Sequence, residues 1–237
     1  MCIRDRILAA HPQVHGAGER NALGQAFAAL GGAWESAAAA TAAAAQPAAA
    51  LDQVGAAYLR ELKALAGQDA EVSRIVDKMP GNFRYLGLAA VLLPGARIIH
   101  CVRDPRDIGL SIFTFRFHGH HGYAHDLADL GWYIGQHDRL MAHWRAALPN
   151  PILTLRLSDW VSDFDGALRR VLDFLDLPYD SGCERFYEGE GRVRTVSRTQ
   201  VRQPVNDRGL GRWRLYERHL QPLIEELAAG GSLAGWD

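Results

Sequence analysis

Cysteine is scarce. Cys2, Cys101 and Cys183 are the three cysteines among 237 residues, and no two stand at metal-ligand spacing. An odd count without a pattern supports neither a disulfide framework nor a zinc site, so reduced thiols in a cytoplasmic protein are the expectation. Long apolar runs are missing as well. No stretch reaches the roughly 18 residues a membrane-spanning helix needs, and the first residues lack the charged-then-apolar order of a secretory leader. Charge of one sign is also missing, because 26 basic side chains face 27 acidic ones for a net charge of -1. No global field then recruits nucleic acid or an anionic membrane, and an anionic ligand would require a local basic pocket. The chain has no Gly-Lys-Ser/Thr phosphate loop, which argues against a P-loop kinase.

What is present is an ordinary globular composition, 48% hydrophobic and 22% charged, enough for one domain with a good core. The opening Met1 to Arg6 has no cap or turn signal and does not lead into Ile7 and its neighbours. It reads as a non-native stretch, which leaves 7–229 as the domain and 230–237 as a tail. Ala37 to Ala50 is alanine-rich and interrupted by Pro47, so it reads as a loose connection or a marginal helix. Leu51, Val54, Tyr58, Leu62 and Leu65 recur at spacings of three and four, one face of an amphipathic helix.

The centre alternates strands and helices. Ile75-Val76 is a short strand candidate, and Phe83 to Leu93 a helix stopped by Pro94-Gly95. Ile98 to Val102 suits a buried parallel strand. Asp104 and Pro105 fit N-cap and N1 of the next helix, with Asp107 at N3 as a partial capping box. Leu127, Leu130, Ile134, His137, Met141 and Trp144 mark a long helix, Pro151 to Leu157 a strand, and Leu168 to Leu175 a helix ended by Pro178. Trp213 to Leu227 reads as a terminal helix bent near Pro222. The pattern predicts an α/β fold with a parallel sheet covered by helices on both faces, and ligands bind such sheets at the carboxyl ends of the strands.

Four segments carry candidate chemistry. In Arg103-Asp104-Pro105-Arg106-Asp107-Ile108-Gly109-Leu110-Ser111, a guanidinium stands where a strand gives way to a helix. That place suits a phosphate, with Ser111 able to add a hydrogen bond; the alternative is an Arg103 paired with Asp104 or Asp107. Lys78, in Asp77-Lys78-Met79-Pro80-Gly81-Asn82, follows a strand and can stabilise charge on a bridging oxygen, or can be a surface lysine. In His11-Pro12-Gln13-Val14-His15-Gly16-Ala17-Gly18-Glu19, the glycines suggest a strained loop presenting a carboxylate. Glu19 is then a candidate general base, against the plainer role of a solvated glutamate. Ser197 to Trp213 is basic, polar and glycine-containing, a flexible lid over an anion or a charged surface loop. His118, His120, His121 and His125 lack the carboxylate or cysteine partners of a metal site, and no metal is expected.

In this order, from about Ile7 to Leu227, these segments resemble the sulfotransferases that use PAPS (3′-phosphoadenosine 5′-phosphosulfate). The likeness is greatest to the bacterial sulfotransferases often found behind tetratricopeptide repeats and to their relatives, the tyrosylprotein sulfotransferases. The resemblance implies a P-loop-like fold. It assigns Arg103 and Ser111 to the donor's 3′-phosphate and Lys78 to the bridging oxygen, and it puts Glu19 where the tyrosylprotein branch keeps its base. It sets Ser197 near the transferred group and Arg212 on donor phosphate. It implies sulfuryl transfer to an acceptor hydroxyl, of protein tyrosine or another class, with PAP (3′-phosphoadenosine 5′-phosphate) as product. A tetratricopeptide-repeat domain upstream is a further implication. Two departures stand out. The family's Pro-Arg-Ser-Gly-Thr-Thr-like turn after the first strand is expected just before Ile7, where Met1 to Arg6 stands instead. A chain truncated in this way, without first strand and phosphosulfate loop, is expected to show little transfer. Leu157 also stands where an aromatic usually helps to pocket the adenine. A non-catalytic nucleotide-binding or interaction module on the same fold is the alternative.

Overall fold

The computed structural model describes residues 3–33, 36–67, 72–115, 121–188 and 203–236. The chain forms two compact units. The first comprises Met1–Ile98, Leu148–Pro151 and Leu168–Val205; the second comprises Ile99–Ala147, Ile152–Ala167 and Asn206–Asp237. The α/β class expected from the sequence is present, with its strands in two two-stranded sheets among the described residues.

In the first unit, α1 (Ile3–Ala9) leads into β1 (Val14–Gly18). Ile3 to Arg6, part of the stretch read from the sequence as non-native, share that helix with Ile7, and Asp5 and Arg6 are buried, Arg6 donating to the Phe186 carbonyl at 3.4 Å. β1 occupies the segment expected to be a strained loop. It pairs in parallel with β2 (Arg74–Asp77), Val14 opposite Arg74 and Gly18 opposite Asp77, with an irregularity between Gly16 and Gly18. Gly16 is needed for close approach, because a Cβ there would lie 3.0 Å from that of Ala9. Gly18 has φ 76°, a left-handed conformation that glycine adopts without cost. The expected strain is therefore a bulge at the end of a strand.

Helices α2 (Ala22–Ala29), α3 (Ala37–Ala44), α4 (Ala48–Ala66) and α5 (Leu86–Leu92) complete this unit's main core. The alanine-rich stretch is helical because Ser36 caps it, its Oγ accepting from the Ala39 N–H at 3.2 Å. Pro47 then separates α3 from α4. The predicted apolar face of α4 is the one that packs: Tyr58 and Leu62 are buried against Leu23, Phe27, Leu30, Tyr85 and Ala89, with Leu51, Val54 and Leu65 beside them. The helix expected from Phe83 starts instead as a 3₁₀ turn, Pro80–Tyr85, before α5.

In the second unit, β3 (Ile98–Val102) is hydrogen-bonded to β4 (Ile152–Arg156). α6 (Pro105–Phe113) follows β3, and α8 (Leu157–Ser162) begins where a continuing strand was expected. α7 (Leu127–Ala147) matches the predicted long helix. α9 (Phe164–Phe174), whose residues from Leu168 on belong to the first unit, ends just ahead of the expected stop at Pro178. The core joins Leu110 of α6, Leu130 and Ile134 of α7, and Leu223 and Leu227 of α10 (Gln221–Ala229). Fully burying side chains such as Leu130, Leu223 and Leu227 stabilises by about 2 kcal/mol each. The single bent helix predicted over Trp213–Leu227 is two elements, a 3₁₀ turn Arg212–His219 and then α10. Pro222 starts α10 rather than bending it, because a proline in the first turn removes an N–H that has no intrahelical partner. Residues 230–236 also pack here. Arg106 donates to the Trp236 carbonyl, and Arg156 donates to the Gly235 carbonyl at 3.1 Å with its guanidinium 4.4 Å from the Trp236 ring centre.

Candidate functional site

β1 and β2 run in parallel and end side by side, so the next residues, Glu19 and Lys78, leave the sheet at the same edge. The Lys78 N–H donates to the Gly18 carbonyl at 3.3 Å, which ties the two exits together. The Lys78 ammonium and the Glu19 carboxylate form an ion pair, both side chains partly exposed. Partial burial pushes the Glu19 carboxyl up, but the hydrogen bond and charge of Lys78 pull it down, and the net is a carboxyl below its usual range. The sequence candidates Glu19 and Lys78 are thus brought together at the carboxyl ends of a parallel pair.

Behind Lys78 lies a contact that sequence reasoning did not find. Tyr58 of α4 donates its hydroxyl to Asp77 Oδ2 at 2.8 Å. Burial raises the Asp77 carboxyl above its usual value, with the Tyr58 hydrogen bond acting against it. Burial, then the Asp77 charge, raises the Tyr58 phenol far above its usual range. Tyr58 stood in the sequence as one more member of an apolar face, and nothing local marks its hydroxyl as the partner of a strand carboxylate.

In the second unit, Arg103 follows β3 and Asp104 caps α6, its Oδ1 accepting from the Arg106 N–H at 2.9 Å. Asp104 pairs with Arg106 in a fork, Nε–Oδ1 3.0 Å and Nη2–Oδ2 2.9 Å, and so leaves Arg103 to other partners. Arg103 Nη2 donates to the Asp107 main-chain carbonyl at 3.1 Å and lies 3.8 Å from its carboxylate. Ser111 is half-buried one helical turn beyond Asp107, on the same face of α6. A Cβ on Gly209 would sit 3.7 Å from the Arg103 guanidinium carbon and 3.3 Å from Leu157 Cδ2, so glycine lets this strand of backbone approach both. Leu157 is the first residue of α8, the end of its strand having turned helical.

Asp107 does not complete a capping box. It is fully buried and accepts from the N–H of Gly211 at 2.7 Å and of Trp213 at 2.9 Å. Arg212, between these two donors, is exposed. Ser197, His118 and His120 lie outside the described residues. Among the described residues no three His, Cys, Asp or Glu side chains are grouped as metal ligands, and no helix is long and apolar enough to cross a membrane.

The model of the Sulfotransferase family matches residues 4–181, a range that includes Glu19, Lys78, Arg103 and Ser111 and ends before Arg212. An uncharacterized protein of Aquifex aeolicus (strain VF5) is 34% identical over 172 residues, 71% of this chain and 23% of that protein. The chain therefore spans under a quarter of that relative's length. Among solved structures, the sulfotransferase domain from the Synechococcus PCC 7002 olefin synthase superposes with a TM-score of 0.64 at 18% identity, covering 96% of this chain and 88% of that one. The sulfotransferase domain from the curacin biosynthetic pathway superposes with a TM-score of 0.59 at 15% identity, covering 94% and 92%. These likenesses establish the fold, and the match across three quarters of the sequence establishes the kinship: the chain belongs to the sulfotransferase family.

Proposed function

We propose that this domain transfers a sulfuryl group from PAPS to an acceptor hydroxyl, releasing PAP. The observation that carries the reading is the Glu19–Lys78 pair at the carboxyl ends of β1 and β2. Sulfuryl transfer needs two opposite services. The acceptor hydroxyl must lose a proton as its oxygen bonds to sulfur, and the bridging oxygen must accept negative charge as its bond to sulfur breaks. Glu19 takes the proton and Lys78 steadies the bridging oxygen of the departing PAP. Arg103, Ser111 and Arg212 hold donor phosphate, and the family resemblance assigns Ser197 to the transferred group. The 3′-phosphate contact separates PAPS from ATP. What supports that assignment is the place of Arg103 between β3 and the start of α6, its guanidinium tied to the Asp107 main-chain carbonyl at 3.1 Å. The acceptor is a hydroxyl compound, and protein tyrosine is the class that Glu19 in its His-Pro-Xaa-Val run favours.

A second reading is a nucleotide-binding module on the same fold that does not carry out transfer. Calorimetric titration with PAP and with ATP, followed by a transfer assay with labelled PAPS, separates the readings. PAP binding that weakens about tenfold or more in Arg103→Ala supports the donor site, given the strength of charge-assisted bonds to phosphate. Binding without transfer by the full-length parent supports the module. Preference for ATP over PAP overturns both.

A further inference from the structure

The run after Arg103 contains two acidic residues and a second arginine that touch no proposed ligand. Arg106 and Asp107 both contact the segment that carries Arg212. Arg106, forked onto Asp104, lies 4.0 Å from the centre of the Trp213 ring. Asp107 is the more telling, since a carboxylate with no exposure is costly to bury unless its oxygens are satisfied. Here one oxygen accepts the Gly211 N–H and the other the Trp213 N–H, more than 100 positions along the chain. The residue between those donors is Arg212. The same Asp107 also supplies the main-chain oxygen that holds Arg103. Gly211 has φ 69°, a conformation that aims its N–H without strain only because the residue is glycine.

We propose that Asp107 is a positioning residue for the donor's 3′-phosphate: its side chain fixes the Gly211–Trp213 segment and its main chain fixes Arg103, so that one residue sets the two cationic segments in register. The inference rests on the reading of Arg103 as the 3′-phosphate contact. Its consequence is that selectivity for a 3′-phosphate depends on a buried carboxylate that never meets the ligand.

The test compares PAP with adenosine 5′-phosphate, which lacks only the 3′-phosphate, by calorimetric titration of the 237-residue chain. In Asp107→Ala the preference for PAP falls about tenfold while affinity for adenosine 5′-phosphate stays within about twofold, a split that general loss of structure would not produce. Asp107→Asn keeps one acceptor oxygen and restores part of the preference. Should Asp107→Ala fail to fold, Gly211→Val perturbs the same bond from the loop side, because a β-branched residue resists positive φ, and it lowers the preference likewise. If the unaltered chain binds both nucleotides equally, the donor reading fails and the inference with it. If the unaltered chain prefers PAP, and the folded Asp107 and Gly211 variants keep that preference while the amides of Gly211 and Trp213 exchange faster with solvent, the inference alone is overturned.

Discussion

Replacing Tyr58 by phenylalanine removes one oxygen and leaves the ring packed among Phe27, Leu62 and Tyr85. The lost group is the donor to Asp77 Oδ2, 2.8 Å away. The expected loss of stability near neutral pH is about 1–2 kcal/mol, the cost of leaving one largely buried oxygen without its partner. The loss depends on pH in a defined direction. Burial already holds the Asp77 carboxyl above its usual value while the Tyr58 bond opposes that rise; removing the bond lets the carboxyl rise further. A carboxyl raised in the folded state binds more protons folded than unfolded, so stability falls as pH climbs from the unfolded value through the folded one. Tyr58→Phe widens that window, and its deficit is larger at about pH 8 than at about pH 5. Urea unfolding followed by tryptophan fluorescence at both pH values measures this, with equal slopes confirming that midpoints report stability. A deficit that is the same at the two pH values, or larger in acid, would refute the reasoning.

Glu19 provides the opposite sign. Its carboxyl lies below its usual value, so its contribution is present above the usual glutamate range and is lost as pH falls through the folded value. Glu19→Gln should therefore flatten the acid limb of the stability profile, by no more than about 0.5 kcal/mol because the pair is partly exposed; an acid limb as steep as in the unaltered chain would count against the ion pair. Packing gives a ranking. A methyl on Gly131 would meet the Leu223 carbonyl oxygen at 2.9 Å and Glu226 Cβ at 2.6 Å, whereas one on Gly109 would meet only Leu223 side-chain carbons, the nearest at 2.4 Å. Side-chain ends can rotate and backbone cannot, so Gly131→Ala should lose about 1–2 kcal/mol net of the better helix propensity of alanine, and Gly109→Ala less. Thermal unfolding decides the order, and the reverse order would refute it.

The junction of β3 and α6 was legible because its signals are local: an apolar run, then Asp-Pro where a helix cap and a first-turn proline belong. The faces of α4 and α7 were legible from spacing alone. β1 was not, since Val14-His15-Gly16-Ala17-Gly18 has one β-branched residue and two glycines, of which Gly16 answers to the closeness of α1 and Gly18 to a positive φ rather than to strand propensity. At Asp107 a local rule pointed to a capping box, but two main-chain donors far along the chain claimed the carboxylate. Of the candidate site, residue types at strand ends could be read directly. The pairing of Glu19 with Lys78 could not, because it depends on two strands ending in step.

Under the proposed chemistry, that pairing makes the resting base a poor one. With Lys78 as its partner, Glu19 holds a proton less readily than an ordinary glutamate, so it offers little to a hydroxyl that arrives without a donor. Under the proposed chemistry an anion at Lys78 draws the ammonium toward itself, and Glu19 regains basicity as its counter-charge departs. Donor and acceptor proton are then coupled through one ion pair, and the coupling is reciprocal: a protonated Glu19 leaves Lys78 freer for the anion. Salt bridge and switch would be the same two side chains.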